Sequence, residues 1–247
     1  MQVDPELPGA DLEPVDLHVD PVAGWHSLGL PDVGRIEGTS RHVLTELHRL
    51  VMRDVLRSHG RHPIIHGAAV IVGGKRFLLI APKGVGKTTL ALHLLARGHL
   101  VEGDEHLIVN ADDVIARPRN LRVKATSFDI VEGLPAAIRD TPRIELWDGT
   151  LIHAVSPSVV GTRWIVAPGP LDHIVLLEPN RGGRSVAAPM SANDAFRALM
   201  ANSYAPERGF GAAAARLRLL AVRTPAHRLW LGDLGQAEWH LDMLSRS

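Results

Sequence analysis

Phe77-Leu78-Leu79-Ile80-Ala81-Pro82-Lys83-Gly84-Val85-Gly86-Lys87-Thr88-Thr89 is the stretch that decides the fold. Four apolar residues run into a loop with two glycines. Lys87 then opens a helix expected to reach about Arg97, where Gly98 ends it as a C′ glycine. Residues 81–88 fit the phosphate-loop pattern, with alanine in the first glycine position, and the strand before and helix after are the context that pattern needs. In such a loop successive backbone N–H groups wrap phosphate oxygens, and the helix N-terminus adds partial positive charge. Gly84 and Gly86 let the backbone approach closely. Lys83, Gly84, Val85, Gly86, Lys87, Thr88 and Thr89 are therefore the candidate nucleotide-binding residues, with Lys87 reaching the β- and γ-phosphates and the Thr88 hydroxyl binding Mg²⁺. The loop does not say what becomes of the γ-phosphate.

Working outward, Ile64, Ile65, Ala68, Val70, Ile71 and Val72 read as a buried strand, joined by a Gly73-Gly74 turn to the strand at 77–80. Upstream, Val43, Leu44, Leu47, Leu50, Val51, Val55 and Leu56 recur at spacings of three and four. They predict an amphipathic helix over 41–59, capped by Thr39 or Ser40 and stopped near Gly60. Residues 1–38 read as an extended segment with turns, and 39–247 as one domain. Downstream, 107–110 is a strand. Residues 119–178 read as short, mostly antiparallel strands, 174–177 being the clearest. Residues 192–204 and 209–222 are helical, 228–231 is a strand, and 236–244 is a terminal helix.

Lys plus Arg and Asp plus Glu are both 27 in 247 residues, so no basic excess argues for a nucleic-acid partner. The absence of cysteine excludes disulfides, thiolate zinc sites and a cysteine nucleophile. The acidic, proline-rich first 20 residues lack the features of a targeting signal. No apolar run approaches the ~18 residues that span a bilayer. The expected location is cytoplasmic, without a membrane partner.

Gly103-Asp104-Glu105 follows the loop helix and precedes the 107–110 strand, a place from which a loop can return beside the phosphates. Phosphoryl transfer needs one carboxylate to hold Mg²⁺ and another to accept the proton of the attacking hydroxyl. Two adjacent carboxylates raise each other's pKa, which suits a base. The bland alternative is an exposed acidic turn. Asp112-Asp113 is a competing pair that looks like a solvated turn.

The order of motifs resembles the HPr kinase/phosphorylase-like family of P-loop serine kinases. The resemblance rests on His66-Gly67-Ala68-Ala69-Val70, on residues 78–99, on Gly103-Asp104-Glu105 and on Pro118-Arg119-Asn120-Leu121-Arg122-Val123-Lys124. It implies an α/β fold with a P-loop core of the HPr kinase/phosphoenolpyruvate-carboxykinase type, a largely antiparallel β-rich second half and C-terminal helices. It implies transfer of the γ-phosphoryl group of ATP to a serine hydroxyl of a peptide or small protein, with Mg²⁺ as cofactor. On this resemblance Asp104 and Glu105 are the metal ligand and base, His66 lies near the phosphates, and Lys124 or Arg122 neutralises the transferred group. Homo-oligomerisation enters by resemblance alone. The long Gly-rich, Arg-containing segment of the bifunctional enzymes is not visible after residue 125, which argues against phosphorylase activity and against HPr as substrate without deciding either.

Two other readings use the same residues: a kinase of a small alcohol such as a free amino acid, and a nucleotide-binding subunit that recognises a peptide or carrier protein and catalyses little. Elsewhere, His59, His62 and His66 have metal-like spacing, but Gly60 and Pro63 break the helix that would align them. Glu178 reads as a strand-end charge, Arg181-Gly182-Gly183-Arg184 as a hairpin turn, and the five tryptophans as core or interface anchors.

Overall fold

The computed structural model describes residues 16–20, 25–30, 34–58, 62–110, 113–146, 149–160, 164–204 and 209–247. Contacts divide the chain into two units: residues 1–55 with 146–150, and residues 56–145 with 151–247. The division runs inside a helix, whereas the sequence suggests a break near residue 38.

The first unit contains a three-stranded antiparallel sheet of β1 (Asp16–Asp20), β2 (Trp25–Leu30) and β3 (Gly34–Thr39) in that order. Helix α1 (Ser40–Ser58) begins where the Thr39 hydroxyl accepts the His42 N–H at 3.4 Å, so Thr39 is the cap. Val43 and Leu50 are buried, but Leu44 and Val51 of the same apolar series remain about half exposed.

In the second unit come β4 (Ile64–Val72), β5 (Lys75–Ile80), α2 (Lys87–Ala96), β6 (Leu100–Gly103), β7 (His106–Asn110), β8 (Asp113–Ala116) and β9 (Leu121–Lys124). Short helices α3 (Ala125–Ile130) and α4 (Ala136–Arg139) follow, then β10 (Arg143–Glu145), β11 (Leu151–Val155) and a 3₁₀ turn at Pro157–Val160. The remainder is β12 (His173–Pro179), β13 (Val186–Met190), α5 (Ala192–Ala201), β14 (Ser203–Tyr204), α6 (Phe210–Arg223), β15 (Ala226–Leu231) and α7 (Leu234–Ser245).

The main sheet has the order β13-β15-β12-β5-β4-β7-β8, with β6 and β14 also paired to β4. Gly73 and Gly74, at φ 57° and 80°, turn β4 into β5 as the sequence predicts. The sheet is mixed. In the second half β9–β11, β10–β11 and β13–β15 pair antiparallel as expected, but β12 runs parallel to both neighbours, β5 and β15. Its core residues Ile174, Val175 and Leu177 are buried on both faces, and a continuous apolar run of that kind suits a covered parallel strand. A smaller antiparallel sheet, β10-β11-β9, stands apart, and 125–130 and 136–139 are helical where strands were expected. Ser203 and Tyr204 leave the predicted 192–204 helix to pair with Ile65 and Ile64.

Alternation along the central strands sends side chains into two cores. Ala68, Val70 and Val72 of β4 join Leu90 and Leu94 of α2 and Ala237 and Leu241 of α7. Ile65 and Ala69 join Ala195 and Leu199 of α5 and Leu217 and Ala221 of α6. Glu238 of α7 ties the last turn of α2 to the segment after it: its two carboxylate oxygens lie 2.9 Å from His93 Nε2 and 3.0 Å from His99 Nε2. Among the described residues no helix is long and apolar enough to cross a membrane.

Candidate active site

The segment from Ala81 to Gly86 links the C-terminal end of β5 to the N-terminus of α2. Gly84 and Gly86 adopt φ values of 87° and 120°, which side chains strain to reach. A Cβ on Gly86 would also lie 2.9 Å from Leu231 Cδ2. Gly86 caps α2 without a side chain, and its carbonyl accepts the Leu90 N–H at 2.8 Å. The first-turn N–H groups therefore have no side-chain cap. α2 is buried at Leu90, Ala91, Leu92, Leu94 and Leu95, so its start is held rigidly.

β4 and β7 bring His66 opposite His106, on the sheet face that bears Ala68 and Val70. The turn between β6 and β7 delivers Asp104 and Glu105, and the Glu105 carbonyl accepts the Gly67 N–H at 3.3 Å. The segment entering β9 supplies Arg119, Asn120 and Arg122. Together His66, Lys87, Thr88, Asp104, Glu105, Arg119, Asn120 and Arg122 line a cavity of about 140 Å³.

Electrostatics inside it follow from burial. Asp104 is pushed up to about 6 by burial, against the opposing effects of the Thr88 hydroxyl that hydrogen-bonds it and of the Lys87 and Arg119 charges. Its Oδ1 is buried without a hydrogen-bond partner. Burial holds the Lys87 ammonium below the usual lysine range, against the pull of Asp104. His66 is pulled down to about 4 by burial and then by Lys87. His106 is pulled down to about 4 by burial and then by surrounding positive charge. Both imidazoles are neutral at pH 7. Glu105 is ion-paired with Arg119.

The sequence-predicted residues His66, Lys87, Thr88, Asp104, Glu105 and Arg122 thus meet in one place. Lys124 does not: it lies on the Arg122 face of β9 but two residues further on, exposed and outside the cavity lining. The Thr89 hydroxyl is 2.9 Å from Ser127 Oγ, which turns it into the α2–α3 contact. Lys83 is exposed on the loop, and Val85 packs partly on the core. Arg119, Asn120 and His106 were not singled out from sequence. Arg119 and Asn120 precede the strand and belong to no period, and His106 is recognisable only by its register with His66.

Other expectations resolve locally. His59 and Asp112 lie outside the described residues. His62 Nδ1 is 3.0 Å from Arg216, and among the described residues no cluster of three His, Cys, Asp or Glu could hold a metal. Glu178 pairs with Arg228 at 3.2 Å. The Arg181–Arg184 turn leads into β13, which pairs with β15 and not β12, so it is no hairpin. Trp164 donates to the Glu102 carbonyl at 3.1 Å, whereas Trp239 is 57 % exposed and anchors no core.

The low histidine values carry a prediction. The unfolded chain protonates His66 and His106 near 6.5, while the folded chain resists until about 4. Stability is full above pH 6.5 and falls as pH drops below it, by at most about 1.4 kcal/mol per pH unit per histidine, less for solvent screening. Burial lowers His173 and His227 in the same direction. Between pH 6 and 3.8 Asp104 offsets one of these slopes. Thermal melts should show a Tm roughly 3–6 °C lower at pH 5.5 than at pH 7.5. Equal melting temperatures would show that these rings are hydrated.

No family model matches the chain, and no curated protein matches it. Among solved structures, the Hpr(Ser) kinase/phosphatase from Coxiella burnetii aligns over 74 % of this chain and 88 % of that chain, with 12 % identity and a TM-score of 0.36. That is a distant likeness of fold, and no residue role is carried over from it.

Proposed function

We propose that this chain is an ATP- and Mg²⁺-dependent phosphotransferase acting on a serine hydroxyl of a peptide or small protein. One observation carries the reading: Asp104, raised to about 6 and with Oδ1 unpartnered, faces the cavity beside Lys87 and Thr88 at the start of α2. A buried carboxylate with a spare oxygen fits a divalent cation or an incoming proton. The uncapped helix end and the φ > 0 glycines fit a polyphosphate. The serine acceptor is supported by the motif resemblance of 66–70, 78–99, 103–105 and 118–124.

In this reading the loop N–H groups and Lys87 hold the β- and γ-phosphates. Thr88 and Asp104 would hold Mg²⁺, which would neutralise phosphate charge there. The acceptor oxygen attacks the γ-phosphorus, the bond to the β–γ bridging oxygen breaks with its electrons leaving on ADP, and the hydroxyl proton passes to Asp104. His66, neutral, offers a hydrogen bond without adding charge.

The test uses γ-labelled ATP with Mg²⁺, a panel of Ser-containing peptides, HPr and free serine, and a parallel nucleotide titration. Lys87→Ala should weaken MgATP binding by about tenfold or more, since a desolvated charge-assisted contact is lost. Label on a peptide, absent in the variant, supports the proposal. Label on free serine alone moves the acceptor to small alcohols. Binding without transfer to anything favours the binding-subunit reading, and absence of nucleotide binding removes all three.

A further inference from the structure

We propose that Arg119 is the cation that stabilises the phosphoryl group during transfer, and that Glu105 is its positioning residue and not a metal ligand. This rests on the phosphotransferase reading above. The two adjacent acids of the β6–β7 turn are treated differently by the fold. Asp104 keeps a buried oxygen without a partner, whereas the Glu105 carboxylate is taken up by Arg119. A metal bound through Glu105 would have to break an ion pair whose side chains are only 28 % and 19 % exposed. A metal bound through Asp104 Oδ1 would displace no hydrogen bond of that oxygen.

Arg119 faces the same cavity as Lys87, Thr88 and Asp104, and Asp104 is among the charges that act on it. Burial lowers its pKa to about 10, so it remains a cation at every working pH. A guanidinium has five donors in a planar fork, and one carboxylate engages at most two of them. The remaining N–H groups are available to phosphoryl oxygens. A fixed cation in a water-poor cavity stabilises developing charge more than the same cation in solvent, with no reorganisation at the moment of reaction. Phosphoryl-transfer sites use an arginine for this task, in cis or from a partner. Here the chain supplies its own, from the segment after Pro118, and Glu105 fixes its direction.

The experiment needs no acceptor. A fluorescent ADP is titrated with Mg²⁺, with and without aluminium fluoride, a planar mimic of the transferring group. Wild type, Arg119→Ala, Arg119→Lys, Glu105→Gln and Asp104→Asn are compared, with thermal melts as a folding control. Aluminium fluoride should tighten MgADP binding by about tenfold or more in the wild type. Arg119→Ala should bind MgADP nearly as well but lose that gain, and Arg119→Lys, which keeps charge without the fork, should recover little of it. Glu105→Gln should lose part of the gain with an unchanged Mg²⁺ requirement, while Asp104→Asn raises that requirement. A full gain in folded Arg119→Ala, no gain in wild type, or a raised Mg²⁺ requirement in Glu105→Gln would each overturn the assignment. Failure of the wild type to bind MgADP at all would instead sink the nucleotide reading beneath it.

Discussion

Replacing Asp104 by Asn should lower phosphoryl transfer on the order of 10³-fold while leaving the protein folded. Asn presents the same shape but can neither take the acceptor proton nor give a full charge to the metal. Stability should move the other way. Burial pushes this carboxyl up to about 6 from its ordinary 3.8, so the folded chain holds the proton more tightly than the unfolded chain. The ionised group therefore destabilises the fold, increasingly from pH 3.8 to 6 and fully above it. Asp104→Asn removes that burden, and its Tm at pH 7.5 should equal or exceed that of wild type. Transfer that survives in Asp104→Asn would remove Asp104 from the chemistry. A lowered Tm would mean that the carboxylate is a structural strut.

The second large effect lies away from the cavity, at the start of β5. Arg76 forms a two-pronged pair with Glu102 of β6, with Nε and Nη2 each 2.8 Å from a carboxylate oxygen. It also donates to the Pro170 carbonyl at 3.2 Å and the Ala167 carbonyl at 3.1 Å. Gly169 lies against the guanidinium so closely that a Cβ there would collide with it. The Glu102 side chain is 4 % exposed and that of Arg76 12 %. Arg76→Ala leaves a buried carboxylate without its cation and should cost about 3–5 kcal/mol, read from the urea midpoint. The double variant Arg76→Met, Glu102→Leu should recover much of that loss, because the pair contributes less than an unpaired charge removes. A loss below about 1 kcal/mol in Arg76→Ala would mean that water reaches Glu102.

Neither effect was equally readable in the sequence. Asp104 stood out because an acidic pair after a glycine-rich loop and helix has a chemical reason to be there. Arg76 and Glu102 gave no signal: one lies near the start of β5, the other in β6, a strand not predicted from sequence, and 26 residues separate them. Local patterns served well where the cause was local. Thr39 caps α1, Gly73-Gly74 turns β4 into β5, and the 3.6-residue period places α5, α6 and α7 close to their expected bounds. Period 2 in β9 orients Arg122 and Lys124 to one face, but it cannot say where along that face the cavity ends. That is why Arg122 lines it and Lys124 does not.

The chain by itself determined the strand–glycine loop–helix unit at 77–97, the acidic pair that follows it, and which side chains of each strand share a face. These depend on φ preferences, on the absence of Cβ at Gly84 and Gly86, and on hydrophobic period, all of which act within a few residues. Only the tertiary structure decided that β12 runs parallel between β5 and β15, that His106 stands opposite His66, and that Thr89 turns to Ser127. It also decided that Arg119 takes Glu105 while Asp104 is left with an unpartnered oxygen. Those outcomes rest on pairings between segments distant in sequence. A strand's own pattern specifies what it must bury but not its neighbour, and a charge finds its partner only after the sheet has set the register.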